Sequence, residues 1–154
     1  MRKFIFSLLL LFLLSSACQA AVFDNDILVG QVEEFGAKLY LEADTIKAYT
    51  LFGNKILEVR LKWIYDDKGK KLALQAHNAD PRYKDIAYSE NELQIKTERN
   101  LWLIVHRVDY NSKDEIISDF WDAEDEWDKI GQGNFLPVGR VYHMAKQYLE
   151  EHPE

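Results

Sequence analysis

The clearest pattern in the chain is the alternation of apolar and polar residues over positions 56–65. One side of this segment carries Leu57, Val59, Leu61, Trp63 and Tyr65. Because successive side chains of a strand point to opposite faces, the pattern predicts a half-buried antiparallel strand. Gly53 and Asn54 just before it favour a tight turn. We predict further extended segments at residues 38–41, 46–51, 86–97 and 115–120.

Residues 101–110 form the most hydrophobic of the extended segments. A turn at residues 98–100 would place Leu101, Leu103 and Val105 on the face that carries Leu93, Ile95 and Thr97. The opposite face would then carry Trp102, Ile104, His106, Val108 and Tyr110. Since both faces are largely apolar, the sequence predicts a central strand that is covered on both sides.

Other segments give weaker patterns. Residues 21–34 lead into the domain without a clear element, residues 66–70 have the composition of a turn, and residues 72–77 could pair back onto the preceding strand. Asp80-Pro81 marks an irregular connection, because proline disfavours helix at the residue before it.

Apolar residues return at helical spacing near the C-terminus. Val138, Val141, Tyr142, Ala145, Tyr148 and Leu149 would form one face of an amphipathic helix over residues 138–151. Strands followed by one terminal helix predict an α+β fold, in which an antiparallel sheet of about six strands carries the helix on one face.

The first residues resemble a secretory signal. Arg2 and Lys3 precede an apolar run over residues 4–14, which is too short to span a bilayer as a helix, and small residues follow. Two processing routes are open: cleavage after Ala20 or lipid attachment at Cys18. We therefore predict a signal peptide at residues 1–20, a single domain at residues 21–154, and export to the periplasm or the cell surface.

Composition narrows the classes of partner. Cys18 is the only cysteine, so a disulfide within the folded domain is excluded. Loss of Arg2 and Lys3 with the leader changes the formal charge from −7 to −9. This acidity argues against binding to nucleic acid or anionic lipid, which requires a basic face. Membrane attachment is expected only if Cys18 is lipidated.

Several short segments together resemble the surface-adhesin protein E family of exported bacterial domains. They are residues 40–46, the strand end at 62–65 with its Asp-Lys-Gly turn, residues 108–110, and Glu126-Trp127 leading through Ile130 and Pro137 to the helix. The resemblance implies a non-enzymatic, adhesin-like protein-binding module. It also implies that one sheet face is used for self-association, as a homodimer.

Members of that family tend to carry two cysteines joined across the core, and this chain lacks both. Thr97 stands at the first position and residues 148–150 at the second. The family's pairing implies that the face with Leu93, Ile95, Thr97, Leu101 and Leu103 packs under the terminal helix.

The sequence contains few candidate residues for metal binding or catalysis. The acidic residues between Asp119 and Asp128 could bind calcium, but they lack EF-hand spacing and its central glycine, so a solvated loop is favoured. The four histidines show no metal-type spacing, and no nucleophile elbow or phosphate-binding loop is present. We therefore predict no enzyme activity, no cofactor and no metal.

The candidate interface consists of aromatic and apolar side chains, because aromatic residues are enriched at binding hot spots. Its members are Trp102, Ile104, Val108, Tyr110, Trp121 and Trp127. For Trp121 and Trp127 a role in capping the sheet is the favoured alternative. We expect the first four to be covered by the N-terminal chain or by a second copy. The alternative function is a carrier of small ligands, or a hydrolase, with a pocket between sheet and helix.

Overall fold

The computed structural model describes residues 25–121, 127–131 and 137–153. Both predicted processing sites, at Ala20 and Cys18, and the centre of the acidic segment lie outside these residues. The strands are β1 (Asp26–Val32), β2 (Ala37–Leu51), β3 (Asn54–Tyr65), β4 (Ile86–Lys96), β5 (Leu101–Asn111), β6 (Ile116–Trp121) and β7 (Asp128–Lys129). The helices are α1 (Asp67–Ala76), a 3-10 helix (Pro81–Asp85) and α2 (Val138–Glu151).

The strands form one antiparallel sheet in the order β1-β2-β3-β4-β5-β6, and β7 pairs with β5. From β1 to β6, neighbours in the chain are thus neighbours in the sheet. The terminal helix α2 packs on one face, which confirms the predicted α+β fold. Among the described residues, no helix is both long enough and apolar enough to span a membrane.

We call the sheet face beneath α2 the inner face and the opposite one the outer face. On β3 the inner face carries Leu57, Val59, Leu61 and Trp63, as the alternation predicts. These residues share a core cluster with Val138, Val141 and Ala145 of α2. Arg140 also ties α2 to β1, because its Nη1 donates to the carbonyl oxygen of Val29 at 3.0 Å.

The first two strands differ from the prediction. Residues 26–32, which gave no clear pattern, form the edge strand β1, and the two short strands predicted at 38–41 and 46–51 are one long strand, β2. An irregularity between Glu42 and Lys47 breaks the alternation of β2 and hides this continuity. The tight turn is confirmed, with Phe52 and Gly53 at positive φ between the paired residues Leu51 and Asn54.

Residues 67–76 are a helix, so the prediction of a turn followed by a returning strand is wrong. Asp66 caps the N-terminus of α1, since its Oδ1 accepts from the backbone N–H groups of Lys68 and Gly69 at 2.9 and 3.0 Å. Gly69 lies against Gly36 so closely that a Cβ on Gly69 would stand 2.4 Å from the carbonyl oxygen of Gly36. This close approach fixes α1 against the β1–β2 turn.

The two faces of β5 also differ from the prediction. Ile95 pairs with Trp102 and Leu93 with Ile104, so Trp102 and Ile104 lie on the inner face. Leu101 and Leu103 therefore point outwards, not beneath the helix. The turn spans residues 97–100 between the paired Lys96 and Leu101, which is one residue longer than predicted and reverses the faces.

Candidate ligand groove

A groove of about 610 Å³ lies on the inner face, between α1 and strands β3, β4 and β5. It lies under the helix that sequence analysis missed rather than under α2. The sheet contributes Trp63, Tyr65, Asn91, Trp102, Ile104 and Arg107; α1 and its end contribute Gly69, Leu72, Ala73, Ala76 and His77; Glu34, Phe35 and Asp128 complete the lining. Its volume is in the range of small-molecule sites.

The walls of the groove are mainly apolar. Phe35 meets Trp63 edge to face, with ring centroids 5.8 Å apart, and Leu72 and Ala76 of α1 and Ile104 of β5 add aliphatic surface. Edge-to-face packing is a favoured arrangement of aromatic pairs. These residues form the kind of surface that binds the apolar part of a ligand.

Two buried polar groups in the lining have no hydrogen-bond partner among the described residues. They are Oδ1 of Asn91, whose residue is 4% exposed, and Nε1 of Trp102, whose residue is 8% exposed. A buried polar atom without a partner costs about 1–3 kcal/mol, and such atoms are uncommon in native proteins. Both residues line the groove, which makes it a candidate binding site.

Asp109 does not line the groove but fixes the position of Arg107, which does. It is 2% exposed and accepts hydrogen bonds from Tyr83 Oη at 2.9 Å, from Arg107 Nε at 2.8 Å and from Ser89 Oγ. Ser89 in turn lies 3.0 Å from Tyr65 Oη. We call these five residues the support network. Its effect is to fix Arg107 and Tyr65, which line the groove.

Arg107 is the cationic group of the groove. Burial opposes its charge, but the electrostatic effects of Tyr65 and Asp109, with the hydrogen bond to Asp109, raise its pKa above the usual value. Burial also raises the pKa of Tyr65, while the charge of Arg107 works against this rise. At neutral pH the groove therefore presents a guanidinium ion beside a neutral phenol, with Glu34 and Asp128 also in its lining.

His77 at the end of α1 is held by stacking. Its ring lies 3.7 Å from that of Tyr83 at an interplanar angle of 8°. Because Tyr83 also donates to Asp109, the C-terminal end of α1 is connected to the support network. The groove thus has one wall on the sheet and one on α1, and both contact the same group of buried polar side chains.

The structure divides the candidate interface between the two faces. Trp102 and Ile104 line the groove, whereas Val108 and Tyr110 lie on the outer face. Val108 is buried within the chain, and Tyr110 stacks on Tyr88 with centroids 4.6 Å apart. These four residues therefore do not form one surface, and Trp102 is buried within the described part of the chain itself.

The two remaining tryptophans of the candidate interface lie near the edge of the sheet. Trp121 is 63% exposed and stacks on His106, with ring centroids 3.8 Å apart. Lys96 Nζ lies 3.6 Å above the ring of Trp127, which is half-buried. Trp121 is too exposed for the favoured role of capping the sheet, whereas the half-buried Trp127 fits that role better.

The acidic and histidine side chains were also candidates for metal binding. Within residues 25–121, 127–131 and 137–153, no group of three or more His, Cys, Asp or Glu side chains could hold a metal ion. Four residues of the acidic segment, for which a solvated loop was favoured over calcium binding, lie outside the described residues: Asp122, Glu124, Asp125 and Glu126. His106 contacts Asp119, with 2.8 Å between Nε2 and Oδ1, at an exposed position on β5 and β6.

Comparisons with protein-family models, curated proteins and solved structures returned no match. The resemblance to the surface-adhesin protein E family therefore stays a prediction. Sequence analysis missed Asn91 and Arg107, the groove's polar groups on β4 and β5. The sequence did contain an indication for Arg107. Segment 101–110 is mainly apolar, and a charged residue within such a segment requires a buried partner such as Asp109.

Proposed function

We propose that this protein is an exported, non-enzymatic module that binds a small, mainly apolar molecule in the groove between α1 and the sheet. The observation that carries the proposal is the pair of buried, unpartnered polar groups, on Asn91 and Trp102, in an otherwise apolar groove. The signal peptide that the sequence predicts at residues 1–20 supports export.

The physical argument concerns the cost of leaving these groups unpaired. A ligand that hydrogen-bonds to them removes that cost, and its apolar part buries the apolar side chains of the groove away from water. Small-molecule sites typically combine apolar walls with a few well-placed polar groups. Arg107 and the support network supply fixed polar groups of this kind, which favours a preformed site.

The arrangement of the buried hydroxyl favours binding over hydrolysis. Ser89 Oγ donates directly to Asp109, and Asp109 also accepts from Arg107 and Tyr83. An activated nucleophile instead requires a base that removes its proton and can pass it on. The contacts of Ser89 orient the groove's side chains, so the alternative of a ligand carrier is preferred to that of a hydrolase.

The test uses N-phenylnaphthylamine, a neutral dye whose emission rises in apolar surroundings. We expect saturable binding to the wild type and at least a tenfold weaker affinity for Ala76→Phe, which places a ring in the groove. The matched control is Gln75→Phe, at an exposed neighbouring position outside the lining. Absence of saturable binding, or equal weakening by both variants, would contradict the proposal.

A second candidate is protein binding at the β6 edge, which keeps the adhesin-like prediction open. The observation in its favour is that Ile116, Phe120 and Trp121 are all exposed on this short strand. Exposed aromatic side chains beside a strand edge are typical of surfaces that bind other proteins. If the dye does not bind to the wild-type groove, this edge becomes the better candidate.

A further inference from the structure

We infer that the ligand of the groove is an apolar molecule ending in an amide next to a carboxylate, as in an N-acyl amino acid or the C-terminus of an apolar peptide. This inference rests on the proposed function and specifies its ligand. It comes from matching each polar group of the groove to the ligand group that would satisfy it.

Asn91 calls for an amide. Its carboxamide has an acceptor oxygen and a donor NH2 group, which exchange places on a half-turn of the amide. A ligand group that satisfies Asn91 in either orientation must itself offer both a donor and an acceptor. The N–H and C=O groups of an amide do so from two separate atoms. An ester has no donor, and an alcohol offers both functions from a single oxygen, which pairs less well with the two ends of a carboxamide. The buried position of Asn91 makes an unsatisfied contact costly.

Trp102 calls for an acceptor. The indole Nε1–H can only donate, and in the described residues it donates to nothing. A carbonyl oxygen is the acceptor that an amide already provides. The ring itself belongs to the core cluster with Ile95 and Leu93, so the donor is held by packing on its apolar side.

The guanidinium group of Arg107 would bind an anionic group of the ligand, next to the ligand's amide. Its Nε donates to Asp109, whereas the two Nη groups of the guanidinium ion have no hydrogen-bond partner among the described residues and can therefore meet a ligand. Two parallel N–H groups match the two oxygens of a carboxylate. Asn91 and Arg107 are directly paired across β4 and β5, a spacing at which side chains about 5 Å apart interact. An amide and a carboxylate joined through one carbon have a comparable separation.

Arg107 also keeps the site selective. Asp109 balances its charge, and Glu34 and Asp128 in the lining repel a simple anion. A carboxylate therefore gains little from charge alone and depends on the amide and the apolar walls as well. This combination favours an amphipathic amido acid over inorganic anions.

The test is displacement of N-phenylnaphthylamine by three matched compounds. They are N-decanoylglycine, its ester analogue decanoyloxyacetate, which has oxygen in place of the amide N–H, and decanol. We expect decanoylglycine to displace the dye at about a tenfold lower concentration than the ester, the effect of one well-placed hydrogen bond. Decanol should be weaker than both, because it lacks the carboxylate.

Two further measurements locate the contacts. In the ¹H–¹⁵N spectrum, decanoylglycine should move the indole N–H signal of Trp102, identified by its loss in Trp102→Phe. In Asn91→Leu the amide and the ester should displace the dye equally. Because this variant removes an unpartnered buried group, we expect it to fold; if it does not, the three compounds on the wild type still decide the question.

The outcomes separate the two proposals. Dye binding with equal displacement by the amide and the ester would overturn the inference while leaving the proposed function intact. Absence of saturable dye binding would overturn both. An N-acetylated leucyl-leucine with a free carboxylate tells the sources apart: stronger displacement than by decanoylglycine indicates a peptide terminus, and weaker displacement indicates an acylated amino acid.

Discussion

Replacing Asp109 with asparagine tests whether the support network stabilises the fold beneath the groove. The substitution keeps the size of the side chain but removes its charge and converts one acceptor oxygen into an NH2 donor. In the wild type, three donors converge on this buried carboxylate, from Tyr83, Ser89 and Arg107. Each of these bonds loses its charge assistance in the variant.

The magnitude follows from the contacts and their exposure. A hydrogen bond to a charged group contributes about 1.5–3 kcal/mol and a neutral one about 0.5–1.5 kcal/mol, so each of the three bonds weakens by roughly 1 kcal/mol. The side chain of Arg107 is 36% exposed, and solvent screening reduces its share. We expect Asp109→Asn to lower the free energy of unfolding by about 2–3 kcal/mol, a fall in Tm on the order of 10 °C.

The assay is urea unfolding at neutral pH, with Asp119→Asn as the matched control. Asp119 also accepts a hydrogen bond from β5, through His106, but its side chain is 52% exposed. Exposed pairs contribute at most about 1 kcal/mol, so the control should change little. If both variants lose the same free energy, the support network has no special role and the reasoning about the groove loses its foundation.

Two further predictions concern other contacts. Gly69→Ala should destabilise the protein by about 1–3 kcal/mol despite alanine's better helix propensity, because its Cβ would stand 2.4 Å from a backbone oxygen of Gly36. The control Gly139→Ala, whose Cβ would meet nothing closer than 3.8 Å, should be neutral or stabilising, and equal urea midpoints for the two variants would refute this. Burial and the charge of Glu90 raise the pKa of Glu42 in the folded protein. The folded protein therefore binds this proton more tightly than the unfolded chain, and it loses stability as the pH rises through the raised pKa of Glu42. Glu42→Gln should therefore raise Tm at about pH 7 and leave it nearly unchanged at about pH 3, whereas a gain that persists at low pH would contradict the assignment.

Some elements could be predicted because their pattern is local and unbroken. The strict alternation of β3 gave its buried face correctly, and the helical spacing of Val138, Val141 and Ala145 gave α2 and the side that it buries. In both cases the side chains that determine the element also form its main contacts. Sequence patterns suffice where burial follows one period throughout.

Helix α1 was missed because the reason for its glycine lies far away in the chain. Gly69 within an acidic and basic segment has the composition of a turn, yet it is required by contact with Gly36. The local indications of a helix were present: Asp66 in the capping position, and Leu72, Ala73 and Ala76 at helical spacing. The groove could not be predicted without this helix, since α1 forms one of its walls.

The site also depends on one extra residue in β5. Pairing shifts between Glu92 opposite His106 and Leu93 opposite Ile104, so Val105 forms a bulge. Before the bulge, Trp102 and Ile104 face inwards. If β5 had no bulge, strict alternation would also turn His106 and Val108 inwards. Arg107 and Asp109 would then lie on the outer face. The bulge reverses this order, because Arg107 pairs with Asn91 and Asp109 with Ser89 on the inner face.

This geometry explains why segment 101–110 is apolar on both sides without being a simple central strand. Its first half contributes Trp102 to the inner face and its second half contributes Arg107, two residues that an unbroken strand would place on opposite faces. An indole donor and a guanidinium ion can therefore contact the same ligand. Bulges commonly redirect side chains next to binding sites, and here the redirected residues are the charged ones that the groove requires.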